Sequence, residues 1–361
     1  MLTIKSSFGD YAVEDCGNLA EALSRAAPAE RCLYLVDSKV EELYRAEIGR
    51  YASPKRSIVL SATEEQKSLE SLAPVFIDCI SKGLKRDGHL VVIGGGVLQD
   101  VGCFVASVLF RGLPWSFVPT TLLAQADSCI GSKSSINVGP YKNQIGTFYP
   151  PERVLMVADT RLTLPWDEIR SGMGEIIKLQ LIAGPDAYAE LMADLGKVSP
   201  GSGHDIVSKW VGRSLDVKKT YIEEDEFDEG KRNILNYGHT FAHAFESVTN
   251  YAIPHGVAVV VGMLAASHLS VQIGWLPESA YHDLKSNLRE WCRPYGRHLT
   301  GVEPEDLIRV VRHDKKNNAA GLNCILTRGP GRMEKRAVDV ETELAPALDA
   351  FLSREIVGSL D

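Results

Sequence analysis

Three of the chain's nine histidines fall in one stretch, Asn236-Tyr237-Gly238-His239-Thr240-Phe241-Ala242-His243 followed by Pro254-His255-Gly256. His239 and His243 are four apart, so on a helix both imidazoles project from one face, with Asn236 a turn earlier on the same side. Asn250, Tyr251 and Pro254 break the pattern, and His255 would open a second helix that turns back toward the first. Imidazoles gathered this way suit a divalent metal. A carboxylate for the same ion stands in Gly172-Met173-Gly174-Glu175-Ile176-Ile177-Lys178, where glycine and apolar neighbours predict a buried side chain. Glutamate with two histidines, leaving open positions for substrate or water, is a donor set for a catalytic zinc or similar ion. These ligand types do not fix which metal. Each residue alone has a plainer reading, Glu175 as the ion-pair partner of Lys178 and the histidines as hydrogen-bonded helix residues. The set together favours chemistry.

A second cluster could hold a dinucleotide. His89-Leu90-Val91-Val92-Ile93 reads as a buried strand running into Gly94-Gly95-Gly96-Val97-Leu98-Gln99-Asp100 and then an apolar helix to Phe110. Glycines in such a turn let the backbone approach a pyrophosphate, whose charge the helix N-terminus stabilises. Gln99 occupies the third glycine position of the usual fingerprint, so a tight turn without a ligand is the competing reading. Asp37, ending the run Cys32-Leu33-Tyr34-Leu35-Val36-Asp37, would accept hydrogen bonds from a ribose diol or serve as an ordinary turn residue. Arg111, Lys133, Lys142, Lys178, Lys218, Arg232, Lys315 and Lys316 lie in or beside low-charge segments. Converged in a cleft they would bind a small phosphate- or carboxylate-bearing substrate; spread over a surface they would merely be solvated.

The elements that must position these residues divide the chain in two. Up to about residue 160, strands (Cys32 to Asp37, His89 to Ile93, Trp115 to Val118, Val154 to Val157) alternate with helical periodicity, as over Thr63 to Leu84, where Thr63 and Gln66 could form a capping box. That alternation predicts an α/β domain with a parallel, Rossmann-like, doubly wound sheet. Beyond it, Trp166 onward, Ile206 to Glu223, Asn233 to Val248, His255 to Ile273 and Glu278 to Trp291 predict a mostly α-helical domain. The expected division is 1–162 and 163–361, and 361 residues suit two domains. A net charge of −8 argues against a general nucleic-acid or membrane-surface protein. No basic N-terminal segment with a signal-length apolar run is present, and the apolar stretch Val257 to Leu269 reads as a buried helix, so export and membrane spanning are not expected. Seven scattered cysteines without a Cys-x-x-Cys pair read as reduced packing residues of a cytoplasmic protein.

Taken in order, the motifs resemble 3-dehydroquinate synthase and the wider sugar phosphate cyclases. The resemblance runs from about Thr63 to Lys316. It is carried by Gly94 to Asp100, Arg111-Gly112, Val118-Pro119-Thr120-Thr121-Leu122-Leu123-Ala124-Gln125-Ala126-Asp127-Ser128, Gly131-Ser132-Lys133 and Lys142-Asn143-Gln144-Ile145-Gly146-Thr147-Phe148-Tyr149-Pro150. It continues through Gly174 to Lys178, Asn233 to Ala244, His255-Gly256 and Asp314-Lys315-Lys316. The chain departs from the family pattern at Val257, where His-Gly-Glu is usual, and at Ala242, where glycine is usual. It also departs at Ser132 and at Asp228, which replaces a common glutamate.

The resemblance implies an NAD-binding α/β domain, a helical metal-binding domain and a cleft between them. It implies Glu175, His239 and His255 as ligands of a divalent metal, Zn2+ or else Co2+, with His243 either a group supporting the ligands from behind or an acid/base group instead. NAD contacts would be Asp37, Glu64, Lys67, Gly95, Gly96, Val97, Asp100, Thr120, Thr121 and Thr163, with Lys133 and Lys142 near cofactor and substrate alike. Lys178, Lys133, Asp127 and Asn143 would join His243 in catalysis. Arg111, Lys142, Lys218, Arg232, Asn236 and Lys316 would bind substrate, Arg111 across the interface of a homodimer. The implied reaction turns 3-deoxy-D-arabino-heptulosonate 7-phosphate into 3-dehydroquinate and phosphate by transient oxidation, phosphate elimination, re-reduction and intramolecular aldol closure. The cofactor is regenerated each turnover. Relatives acting on the amino analogue, sedoheptulose 7-phosphate or glucose 6-phosphate are the nearest alternatives. A polyol dehydrogenase or a catalytically silent binding protein on the same scaffold is more distant. Arg232, Lys218 and Asn236 favour a keto-acid substrate, because a buried guanidinium without an anion is costly.

Overall fold

Buried apolar runs build the first part of the molecule. The computed structural model describes residues 1–26, 29–139, 141–312 and 322–356. These form two compact units, Met1–Pro165 with Lys219–Phe227, and Trp166–Lys218 with the chain from Asp228 onward.

In the first unit the strands are β1 (Leu2–Ile4), β2 (Tyr11–Cys16), β3 (Cys32–Asp37), β4 (Ser57–Leu60), β5 (His89–Gly94), β6 (Trp115–Pro119), β7 (Ile136–Val138), β8 (Tyr141–Ile145) and β9 (Arg153–Val157). Seven of them make one sheet in the order β1-β2-β9-β6-β5-β3-β4, while β7 and β8 pair as a hairpin. Every residue of β3, β5 and β6 is buried, as a sheet covered on both faces requires. The sheet is parallel from β2 to β4, and β1 departs from the expected pattern by pairing antiparallel with β2.

The helix expected over Thr63 to Leu84 divides. Glu64–Lys67 is a 3₁₀ turn, and the α-helix runs Leu69–Ser81 with Ser68, not Thr63, as its side-chain cap. The helix after the glycine turn begins at Gly96 and ends at Val108, because Phe110 and Arg111 adopt left-handed backbone, φ 57° and 68°. Segment 219–227 belongs to this unit through Glu223, which accepts from the Lys5 N–H at 2.8 Å, and Glu226, which binds Ser6 and Ser7. The Phe227 ring stands edge-on to Phe148, 5.1 Å between centroids. A single division near residue 162 therefore misses two further crossings of the chain between the units.

The second unit is mostly helical, with helices Trp166–Ala183, Pro185–Leu195, His204–Glu224 (whose last residues belong to the first unit), His239–Val248, His255–Gln272, Glu278–Cys292 and Pro304–Arg312. Among the described residues His255–Gln272 is the one helix long and apolar enough to cross a membrane. It is buried on nearly every residue and packs against Trp166–Ala183, His239–Val248 and Glu278–Cys292, so it is the unit's core helix. The expected helix over Asn233 to Val248 is interrupted. Lys231–Asn236 is a 3₁₀ turn, Gly238 sits at φ 84°, and a helix starts only at His239. Asn236 consequently does not share a helix face with His239. The unit also holds an unexpected antiparallel pair, β10 (Leu322–Thr327) and β11 (Met333–Val338), joined by a turn in which Gly329 and Gly331 take positive φ. The molecule is thus an α/β unit with a largely parallel sheet and a mostly α-helical unit.

Candidate functional site

Glycines let three helices of the second unit approach backbone to backbone. A Cβ on Gly174 would lie 2.0 Å from the Gly256 carbonyl oxygen, and one on Gly256 would lie 1.7 Å from that of Ser171. Gly256 N–H also donates to Ser171 Oγ at 3.0 Å. This contact carries Glu175, on Trp166–Ala183, to His255, the first residue of the core helix. Gly262 lies as close to Gly238, a Cβ there falling 2.2 Å from the Gly238 carbonyl oxygen, and this brings in His239.

The three donors converge. Glu175 Oε1 lies 3.2 Å from Nε2 of His255 and 3.5 Å from Nε2 of His239. Donors held about 2.0–2.2 Å from one tetrahedral ion stand roughly 3.3–3.5 Å apart, so the observed spacing fits a cation of zinc's size. Glu175 is 1% exposed, a costly place for a carboxylate unless it meets a cation. Lys178, equally enclosed, reaches its other oxygen, Oε2, at 2.5 Å. At His255, burial works against the imidazolium, but hydrogen bonds to Glu175 and Glu246 outweigh it and lift the pKa to about 10. With no ion bound, a proton on each nitrogen can balance the two carboxylates; a metal would replace the Nε2 proton.

His243 is not in this donor group. It falls in a second one, with Glu246 and His255, and its ring is stacked with His255 at 6.1 Å. The initial pairing of His239 with His243 on one ion gives way to His239 with His255, since the turn at Gly238 and the approach of the core helix change the facing partner. Glu246 was not singled out from sequence; its spacing of three from His243 on the same helix was the available signal. Lys218 and Arg232 are buried in this unit, and Asn236 Nδ2 donates to Asn233 O at 3.2 Å. Lys316 and its neighbours Asp314 and Lys315 lie outside the described residues.

In the first unit the carboxyl ends of β3, β5 and β6 gather the residues expected at a dinucleotide, the end of a parallel sheet where ligands bind. A Cβ on Gly94 would come 3.3 Å from Asp37 Cβ, and one on Gly95 2.8 Å from Thr121 Cγ2. Thr120 N–H donates to Gly94 O at 2.9 Å. Gly95 caps the helix that carries Gly96, Val97 and Asp100. Gln99, which spoils the standard fingerprint, donates from its side-chain amide to the Ser128 carbonyl and accepts from Ser128 Oγ, and so ties the glycine turn to the turn bearing Asp127. Asp37 accepts from Lys39 N–H at 2.8 Å, capping the following helix.

A chain of polar contacts continues from there. Lys67 Nζ lies 2.9 Å from Asp100 Oδ2 and 3.9 Å from Glu64 Oε1, and Lys142 Nζ lies 3.7 Å from the same Glu64 oxygen. Burial pushes the Asp100 carboxyl up, against Lys67 and the Ser135 N–H. Asn137, not picked out from sequence, donates to Glu64 Oε1 and accepts from the Asn143 N–H, both at 2.8 Å. Asn143 itself takes φ 54°. The Lys133 ammonium stands over the Phe148 ring, 5.6 Å from its centroid. Thr163 shares a 3.0 Å hydrogen bond with Tyr44 OH, and Arg111 is exposed in its left-handed turn.

The chain is similar to known proteins over most of its length. Residues 57–171 match the model of the 3-dehydroquinate synthase N-terminal region, and residues 172–317 that of its C-terminal region. A 3-dehydroquinate synthase of Salinibacter ruber is 37% identical over 309 residues, 84% of this chain and 83% of the relative. Among solved structures, 2-deoxy-scyllo-inosose synthase complexed with carbaglucose-6-phosphate, NAD+ and Co2+ superposes with TM-score 0.82 at 23% identity, covering 97% of this chain and 98% of the other. The 2-epi-5-epi-valiolone synthase of Streptomyces hygroscopicus subsp. jinggangensis, with NAD+ and Zn2+ bound, gives 0.80 at 24% identity, covering 96% and 97%. At such identities the two structures speak for the fold, whereas the matched regions and the 37% identical relative speak for descent: the chain belongs to the 3-dehydroquinate synthase family.

Proposed function

We propose that this protein converts 3-deoxy-D-arabino-heptulosonate 7-phosphate to 3-dehydroquinate and phosphate, as an NAD- and divalent-metal-dependent cyclase acting as a cytoplasmic homodimer. The observation that carries this reading is the company kept by the donor set: Lys218 and Arg232, buried to 9% and 4% exposure, lie in the same unit as Glu175, His239 and His255. A neutral polyol needs no such cations, and a substrate bearing phosphate and carboxylate does. When bound, NAD would supply a reversible hydride acceptor and the cation a Lewis acid that polarises a hydroxyl or carbonyl oxygen.

The chain's own residues do the rest. Asp37, Glu64, Lys67, Gly95, Gly96, Val97, Asp100, Thr120, Thr121 and Thr163 would hold the dinucleotide, with the glycine turn offering backbone N–H groups to its phosphates. Lys133, Asn143, Asn236 and Lys316 would orient the substrate phosphate, with Lys142 beside them, and Lys218 and Arg232 its carboxylate. Asp127 would help position the reacting carbons. His243, three residues from Glu246 and stacked on His255, would move protons at the substrate hydroxyls. Lys178 holds Glu175 through Oε2 and so leaves Oε1 turned to the histidines. Arg111 would reach the site of a second copy. NAD+ with Co2+ or Zn2+ in the two cyclases named above supports the cofactor assignment.

The test is release of inorganic phosphate from a panel of seven-carbon and six-carbon sugar phosphates, with and without chelator, while NADH is followed. Chelator-sensitive phosphate release from the keto acid without net NADH is expected. Release from sedoheptulose 7-phosphate or glucose 6-phosphate in its place would make the protein a related cyclase. Net NADH with glycerol would make it a dehydrogenase.

A further inference from the structure

A carboxylate outside the donor set grips the far side of one of its histidines. Glu246 Oε1, on helix His239–Val248, lies 3.0 Å from Nδ1 of His255, while Nε2 of the same ring faces Glu175. A carboxylate accepting at Nδ1 keeps the proton on that nitrogen, and the lone pair of Nε2 is then the one offered to a cation. His255 needs such a hold. It is the first residue of its helix, follows Pro254 in extended backbone, and has a side chain 32% exposed. Val257, two residues on and fully buried, offers no acceptor.

We infer that Glu246 is a positioning residue, fixing His255 through Nδ1 so that Nε2 stays turned toward the cation shared with Glu175 and His239. The inference rests on the metal reading above. The same atoms admit one rival arrangement, since His243, Glu246 and His255 offer donors within 4.8 Å of one another and would suit an ion of their own. Nδ1 cannot both bind an ion and donate its proton to Glu246, so the two arrangements exclude each other. The Nδ1 to Oε1 separation is an ordinary N–H···O distance.

The experiment titrates full-length, chelator-stripped protein with Co2+, reading the cobalt absorption spectrum and stoichiometry, and measures Zn2+ affinity by competition with a chromophoric chelator. Wild type should take one equivalent per chain. Glu246→Ala should take one equivalent roughly 10–100-fold more weakly, with an altered cobalt spectrum. Glu246→Gln, which keeps an oxygen acceptor of the same reach, should fall between the two. Wild-type affinity and spectrum in Glu246→Ala would overturn the inference, and if that variant does not fold, the same result in Glu246→Gln would. Two equivalents in wild type falling to one in the variants would also overturn it, making Glu246 a ligand. No Co2+ binding by wild type, or unchanged binding by Glu175→Gln, would instead sink the metal reading itself.

Discussion

Glu175 and Lys178 lie one turn apart on helix Trp166–Ala183, both almost wholly enclosed. Removing one member of such a pair leaves a buried charge, at a cost of about 3–5 kcal/mol. Glu175→Gln should therefore lower stability by about that much as well as abolish metal binding. Adding Lys178→Met should recover much of the stability and none of the binding, a combination that urea denaturation and cobalt titration will separate. A second buried group sets an acid limit. His89 on β5 shares a 2.9 Å hydrogen bond with Ser116 Oγ, and burial, helped by Arg153, pushes its pKa down to about 4. The unfolded chain binds this proton near pH 6.5, so the contribution is fully present above about 6.5 and is lost as pH falls toward 4. It amounts to about 3 kcal/mol. His89→Gln should flatten stability against pH across that window in urea titrations. At this scale the sequence was readable where a residue type is anomalous in its surroundings, as a glutamate among glycines and isoleucines is. Glu246 and Asn137 were not readable, because an acid on a helix or an amide in a hairpin is ordinary until its partner is known.

The helices of the second unit are placed by what their glycines lack. Gly256→Ala would set a methyl 1.7 Å from the Ser171 carbonyl oxygen, and backbone must yield. We expect a loss of at least 2 kcal/mol, as for overpacked cores, and cobalt affinity lowered tenfold or more, since His255 and Glu175 move apart together. Gly212→Ala is the contrast. It is an exposed helical glycine with nothing within 4 Å of the added carbon, and the change should be neutral or stabilise by up to about 1 kcal/mol. Thermal unfolding of the two variants checks the pair. Helix existence was legible from periodicity, and so were the central strands. The breaks were not. Periodicity runs smoothly through Asn233 to Val248 and cannot report that Gly238 turns left-handed to fit against Met263 and Val259. Nor does Thr63 cap a helix, because Glu64 and Lys67 are engaged with Asn137 and Asp100.

At the scale of the molecule, the change from alternating elements to helices announced two units, but not the return of residues 219–227 to the first. Helix His204–Glu224 continues without a break through Lys218 and Lys219, so no local signal marks the crossing. That return is testable. Residues 1–165 alone lack Glu223, Glu226 and Phe227, which bind Lys5, Ser6, Ser7, Phe8 and Phe148. The fragment should unfold at lower urea than the same fragment with 219–227 joined by a flexible linker; equal midpoints would show the segment to be dispensable. Three passages of the chain between the units carry a further meaning for inheritance. A single recombination point at Pro165 would deliver a borrowed 219–227 to the resident sheet, with foreign side chains against Ser6 and Phe148. Gene shuffling therefore trades these two bodies cleanly only when a nine-residue strap is swapped back, which binds their histories into one.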